Sequence, residues 1–596
     1  MLSWARGHRA LLACLGLVWA SFLGIELAGR DFGVYADEST YTVPGVRQMV
    51  QTGRLLPGRY GYPSLFFYTA LTAALPDAVA ATRQNVRAGV HASTALSVRD
   101  SLLSRIDAPK FITRVRAVFI LAASFTVFWV GALAYLAWRS RVASVLAAAL
   151  WASSWEVTYH VRWAAPQPLM GQLAWAAVLA AVLALQTEAP PARRRLWLRW
   201  SAVAAALSAA TLWNGGAALI ATVAAFILLR RRTEDRTRPA TVPPLALLAL
   251  FGGVFIAVCP AVLLDPVRFL GDLLYDFVAY ARHGSLFSAK PGVDQLSRIG
   301  EYLALVAFSP SATMSAVVLA FGGIGGTLVW RARRVELAPA VAFFLLQLLF
   351  LSAIGTFYAR NQLVLLPGIA VLAAGGFEQV RSWIAARARV LALLLCLLPI
   401  GALGWNARFA WNAVLSIRHR DLPADAVRAR DVVHGRVGTV VLPSPGVSRL
   451  LGPTFLGCAG LGSPCPKGAP DTLVVVRASE LLFGESTVSA WDSLAATRSP
   501  GHFFEGFPSL TRAELLSMSF GGGVRPGRQS IVGSFGPADV NYTYYPNWIT
   551  SDRVVLLTPS SAAEAICGAR QGSESPGATP TWPTMQRVVC SPLSSK

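Results

Sequence analysis

Charge is scarce in this sequence. Only 14% of its 596 residues are charged, against 54% hydrophobic, and that balance excludes a soluble globular protein of this length. Acidic residues are scarcer still, 31 Asp and Glu against 53 Lys and Arg, for a formal net charge of +22. A basic excess also suits nucleic acid, but here the arginines fall in short clusters between apolar runs. That pattern keeps basic loops on the cytoplasmic side of a membrane, so the charge reads as topology and not as a nucleic-acid surface. The sequence has no P-loop, no G-x-S-x-G, no Cys/His zinc spacing and no GxGxxG after a strand, so nothing in it points to cytoplasmic nucleotide chemistry. Cysteine is limited to seven residues. Cys14, Cys259 and Cys396 lie inside apolar runs, as small core residues do. Cys458, Cys465, Cys567 and Cys590 lie in the polar C-terminal part. An even number there fits disulfides in an oxidising compartment, and free thiols fit as well.

What the chain has in abundance is apolar runs near the ~20 residues that cross a bilayer. They cover 11–29, 115–138, 142–154, 167–186, 200–212, 216–229, 242–264, 312–330, 341–354, 362–376 and 390–403. About eleven spans put every strong arginine cluster on one side. Arg6 and Arg9 hold the N-terminus in the cytoplasm if 11–29 is a span; a cleaved signal peptide is the competing reading. The stretch 62–80 is apolar enough to cross, but crossing would invert every later loop. It is expected to lie in the outer interface. The predicted fold class is therefore a polytopic α-helical membrane protein, with a transmembrane domain over 1–415. From 420 to 596 Gly, Pro, Ser and charge rise, and short β-rich runs begin at Val437, Asp471 and Arg553 beside a possible helix over 423–433. This predicts a soluble α/β or α+β domain on the outer side.

The first outer loop, 30–68, holds the densest chemistry. Asp37 and Glu38 are adjacent carboxylates at the expected membrane surface. Two such groups beside lipid are costly unless solvated or paired, and a partly desolvated carboxylate can serve as a general base. A solvated loop pair is the plainer alternative. Downstream come Tyr60 and the turn Tyr62-Pro63-Ser64-Leu65, then Phe66-Phe67-Tyr68.

These elements, in this order, resemble the GT-C superfamily of integral-membrane glycosyltransferases. The resemblance is to the branch of protein O-mannosyltransferases and lipid A aminoarabinose transferases, and it covers roughly 1–379. That branch has an acidic pair in the first outer loop, a His-Pro-Pro-Leu-like turn and an arginine in the next span, matched here by Asp37-Glu38, Tyr62-Pro63-Ser64-Leu65 and Arg114 or Arg116. It implies a polyprenyl-phosphate sugar donor, an acceptor outside the membrane (protein, lipid or glycan) and an active site facing that side of the cytoplasmic (inner) membrane. The resemblance gives Asp37 the role of base, with Glu38 positioning the acceptor or helping a metal ion. Tyr60 and Tyr62 would position substrate. Where the family has a second acidic residue this chain has Gln167, also carried over as a positioning residue; an amide is a poor metal ligand, so a divalent metal cofactor is in doubt, and Glu156 nearby is a candidate to compensate.

Basic residues near the outer side are candidates for the donor phosphate, because guanidinium forks suit phosphate oxygens. They are Arg162, Arg282, His283, Lys290 and Arg360. Arg162 reads equally well as a snorkelling interfacial arginine, and the loop residues as a solvated helix end. Arg360 stands apart from the cytoplasmic clusters, in a segment like the family's late arginine-then-proline pattern. Asp265-Pro266 predicts a helix start. Trp213-Asn214-Gly215 reads as a polar hairpin turn, and Asn541-Tyr542-Thr543 as an exposed sequon. Two further readings are a transporter or flippase of a lipid-linked sugar, and an inactive homologue that only binds glycolipid. Inverted repeats and broken helices at the midplane, the marks of transporters, are not visible, and the ionisable residues cluster at the outer surface.

Overall fold

The structure, a computed structural model, describes residues 9–31, 37–87, 94–186, 190–233, 242–281, 290–309, 311–418 and four later strands. The chain divides into two compact units, meeting in sequence at Trp411 and Asn412.

The first unit is helical. It opens with α1 (Arg9–Ala28), a π-helical turn (Glu38–Thr42), α2 (Val43–Thr52), α3 (Ser64–Thr72), α4 (Leu75–Arg87) and α5 (Thr94–Ile106). Then come α6 (Pro109–Ser124), α7 (Thr126–Trp138), α8 (Arg141–Ala152), α9 (Trp155–His160), α10 (Pro166–Ala184) and α11 (Pro191–Ala209). A 3-10 turn (Trp213–Ala218) leads into α12 (Leu219–Thr233), followed by α13 (Pro244–Val258), α14 (Ala261–Leu264), α15 (Pro266–Ala281) and α16 (Val293–Leu305). The last elements are α17 (Ala312–Arg331), α18 (Ala338–Ala353), a 3-10 segment (Ala359–Leu365), α19 (Leu366–Ala385) and α20 (Arg389–Arg418). Proline stands in the first turn of α2, α6, α10, α11, α13, α18 and α19, where its fixed φ helps and its missing N–H costs nothing. Serine caps α8 and α9: Ser140 Oγ accepts from Ala143 N at 3.2 Å and Ser154 Oγ from Val157 N at 3.4 Å.

Among the described residues eight segments are long and apolar enough to cross a bilayer: Arg9–Ala28, Lys110–Trp138, Pro166–Ala184, Trp213–Arg231, Ala312–Arg331, Val335–Ala353, Ala359–Ala385 and Arg389–Trp411. The chain is thus an integral membrane protein. The other three expected spans are helices too, but α8 has 12 residues and α13 has 15. The third, α11, carries Arg193, Arg194, Arg195 and Arg199 in its first half. The stretch expected in the interface is a pair, Ser64–Thr72 and Leu75–Gln84, bent by 50° at its break.

Helices in lipid pack through small residues that let backbones approach. A Cβ on Gly325 of α17 would lie 2.0 Å from Leu372 O of α19, and one on Gly376 of α19 would lie 2.1 Å from Phe321 O of α17. Only glycine lets these two helices meet so closely. A second packing centre joins α2, α3 and α6 through Val46, Phe66, Phe67, Phe111, Val115 and Phe119. It anchors the ends of the first loop.

In the second unit the described strands form one four-stranded sheet: β1 (Val440–Pro443), β2 (Thr472–Arg477), β3 (Gln529–Phe535) and β4 (Val554–Pro559), in the order β1-β2-β4-β3. β1 and β2 are parallel; the other pairs are antiparallel, with an irregularity between Ile531 and Gly533 of β3. Three of these strands lie in the predicted β-rich runs, and β3 was not expected. The predicted helix over 423–433, the sequon at Asn541 and Cys458, Cys465, Cys567 and Cys590 lie outside the described residues.

Candidate active site

Asp37 and Glu38 enter the π-helical turn as neighbours, and helical backbone points successive side chains about 100° apart. One carboxylate therefore turns inward and the other stays near the surface. Glu38 is buried, 3% exposed, against Arg116 at 1%. Arg116 Nε donates to Glu38 Oε1 at 2.8 Å and its Nη2 to Oε2, a two-pronged pair. Glu38 Oε1 also accepts from Ala164 N at 3.0 Å, and Arg116 Nη1 donates to Arg30 O at 2.9 Å. Glu38 and its partner Arg116 thereby tie the loop to the end of α1, the middle of α6 and the 161–165 segment. Of the two arginines open in the sequence, Arg116 faces the acidic pair, while Arg114 pairs with Asp77.

Asp37 is partly exposed. Its Oδ2 accepts from Tyr62 Oη at 2.8 Å, and Arg360 Nη2 lies 3.5 Å from the same oxygen. The Arg360 guanidinium sits 4.6 Å from the centre of the Tyr358 ring. Tyr62 in turn packs on Tyr41 and Phe66, with ring centres 5.3 and 5.0 Å away. The turn that carries Tyr62 is held from three sides. Trp213 Nε1 donates to Gly61 O at 3.1 Å, Tyr60 N donates to Asp272 at 2.7 Å, and Leu65 N donates to Ala210 O at 3.0 Å. Trp213, read as part of a plain hairpin turn, is one of these supports.

Tyr60 is buried, and its hydroxyl donates to Asp265 Oδ2 at 3.1 Å. Asp265 was expected to cap α15; its carboxylate instead accepts from Tyr60. Burial first, then the bond and charge of Asp265, push the Tyr60 phenol above its usual range, so it stays a donor. Beside it Asp276 is raised to about 6, by burial and then by Asp272.

Gln167 is buried and its Nε2 donates to Asn361 Oδ1 at 3.2 Å, one residue beyond Arg360. Arg162 is buried too, and its Nε donates to Glu26 Oε2 at 2.8 Å; Nη1 and Nη2 carry no hydrogen bond among the described residues. Glu26 escaped the sequence reading, although an acidic residue inside an apolar span is itself a signal. Glu156 is also buried, where it accepts from Tyr302 Oη at 2.8 Å and pairs with His160 Nε2 at 3.2 Å. His160, one helical turn from Glu156, and Tyr302 were not anticipated; no local pattern joins Glu156 to Tyr302, 146 positions away. Lys290 is exposed and pairs with Asp294 at 3.4 Å. Arg282 and His283 lie outside the described residues.

At the position where a second acidic ligand was expected, the chain offers a poor donor for a divalent metal. Gln167 brings an amide already bonded to Asn361. Among the described residues no three of His, Cys, Asp or Glu come together as a metal would need.

The bundle and the acid, tyrosine and arginine set at one end of it define an integral membrane protein with a polar site at a membrane surface. No protein-family model and no curated protein matches the sequence. Among solved structures, the chain is similar to ArnT from Cupriavidus metallidurans bound to undecaprenyl phosphate. Identity is 12% over 83% of this chain and 95% of that one, with a TM-score of 0.45. It is also similar to the oligosaccharyltransferase AglB from Archaeoglobus fulgidus in complex with an inhibitory peptide and a dolichol-phosphate. Here identity is 10% over 85% of this chain and 72% of that one, at a TM-score of 0.43.

Proposed function

We propose that this protein is a membrane glycosyltransferase that moves a sugar from a polyprenyl-phosphate donor to an acceptor outside the cytoplasmic membrane, with Asp37 as the base. The observation that carries the reading is the Asp37 carboxylate, held by Tyr62 and loosely paired with Arg360 at the end of an apolar bundle. A lipid-borne donor reaches such a site from the membrane without leaving it. Its phosphate competes for Arg360, since a guanidinium prefers a doubly accepting anion at short range to a carboxylate at 3.5 Å. Asp37 is then released from its cation just as substrate arrives. Its oxygen takes the proton from the acceptor. The acceptor atom bonds to the anomeric carbon, the bond from that carbon to the phosphate oxygen breaks, and polyprenyl phosphate leaves on Arg360. Arg162, with two nitrogens that find no acceptor among the described residues, is a second candidate for that phosphate. Arg282, His283 and Lys290 stay secondary to these two.

A labelled polyprenyl-phosphate sugar supplied to membranes tests this. Asp37→Asn keeps size and bonding but removes the base, and a fall of roughly 10²-fold or more in transfer is expected. Equal transfer by both proteins would sink Asp37 as base. The Gln167–Asn361 amide pair favours one second reading, glycolipid binding without turnover; that reading predicts donor retention and no transfer by either protein.

A further inference from the structure

The helices enclose a cleft apart from the Asp37 set. Residues of α7, α10, α17, α18 and α19 line a cavity of about 210 Å³, and every lining side chain is apolar or absent. Trp330 and Leu337 both line it, so the turn between them, residues 331–336, is its rim. Leu345 lines it as well, and the eight residues from Leu337 to Leu345 rise roughly 12 Å along a helix. The cleft is thus long and narrow, and it begins at a turn that carries Arg331, Arg333 and Arg334. Trp330, at the mouth, is 84% exposed, as a tryptophan at headgroup depth is. Arg334 donates to Ala137 O at 2.7 Å and fixes the turn against the end of α7. The Arg333 backbone is left-handed, with φ of 46°, which keeps the turn tight. The guanidinium groups of Arg331 and Arg333 are exposed and make no hydrogen bond or salt bridge among the described residues.

An apolar slot one chain wide, opening beneath two uncommitted cations at interface depth, matches one kind of molecule. We propose that this cleft binds an anionic phospholipid from the leaflet at the basic end of the bundle. One acyl chain lies in the slot and the phosphate sits between Arg331 and Arg333. A zwitterionic phospholipid fits the slot, but its own ammonium offsets the phosphate that the two arginines attract; free phosphate fits the cations but not the slot. This site is separate from the transfer reading and does not depend on it.

The test is native mass spectrometry of the full-length protein, titrated with phosphatidylglycerol or phosphatidylcholine of identical chains. One phosphatidylglycerol should be retained in preference. The double substitution Arg331→Gln/Arg333→Gln should weaken it by roughly tenfold, to the level of phosphatidylcholine. Gly326→Leu should weaken both lipids, because a Cβ there meets only Leu372 Cδ1, at 4.0 Å, and the side chain enters the slot. If that variant misfolds, Ala340→Leu fills the same space. Equal retention of the two lipids by the wild type, or retention untouched by these substitutions, would overturn the proposal. So would retention of polyprenyl phosphate in place of phosphatidylglycerol, which would give the cleft to a donor.

Discussion

The two adjacent carboxylates are chemically alike, and their surroundings give them opposite work. Glu38 is sealed against Arg116 and a backbone N–H, so it holds the loop. Removing one partner of a buried ion pair leaves an uncompensated charge, at about 3–5 kcal/mol. Arg116→Met is therefore expected to lower thermal stability sharply in detergent, whereas Asp37→Asn, at a partly exposed site, should leave it nearly unchanged. Melting both variants by tryptophan fluorescence checks the split; equal melting temperatures would mean that Glu38 does not brace the loop. Asp37 was legible in the sequence because an acidic pair follows the first apolar run. Arg360 was legible because it stands outside the basic clusters. Arg162–Glu26 and Glu156–Tyr302 were not, since each pair is joined only by folding, across 136 and 146 positions.

Among elements, the α17–α19 contact sets the tightest tolerance. Gly376→Val would drive a branched side chain into Phe321 O, and the two helices would have to part. Overpacking of this kind costs roughly 1–3 kcal/mol. Gly323, about half a turn from Phe321 and Gly325 on α17, faces away and has nothing within 4 Å of its Cβ position. Gly323→Ala should be silent. Melting curves that rank the two variants the other way would refute the contact. The apolar runs announced the long helices, because length and hydropathy are local properties, while α2, α5, α9 and α16 lie outside every such run. β3 was missed for the opposite reason: its sequence, QSIVGSF, mixes Gly and Ser with few apolar residues, and its pairing is irregular. The break inside Lys110–Trp138, where α6 gives way to α7 at Phe125, carries no proline or glycine to mark it.

At the scale of the whole molecule, the side on which each loop lies turns on the bent pair Ser64–Thr72 and Leu75–Gln84. If it crosses, every later loop changes side. Its start is tied to Asp37 through Tyr62. Asp77, just past the bend, is bonded to Arg105 and Arg114. The start of α6 returns to the same end, because Arg116 meets Glu38 and Arg47 meets Asp107 at 3.1 Å. The start of the pair, through Tyr62, and Asp77 after its bend are both tied to elements that hold the acidic pair, which favours a bent pair that dips without crossing. Arg360 places the start of α19 at that end as well. Twenty residues of α19 then span about 30 Å, so Arg387 belongs to the opposite, basic end. An epitope inserted after Gly53 and one inserted after Arg387 should therefore answer from opposite faces of sealed, right-side-out vesicles. The first should bind antibody directly, and the second only after the membrane is permeabilised. Both epitopes reached from outside would mean that α19 does not carry the chain across, and the acidic pair and the arginine clusters would then have to be reassigned together.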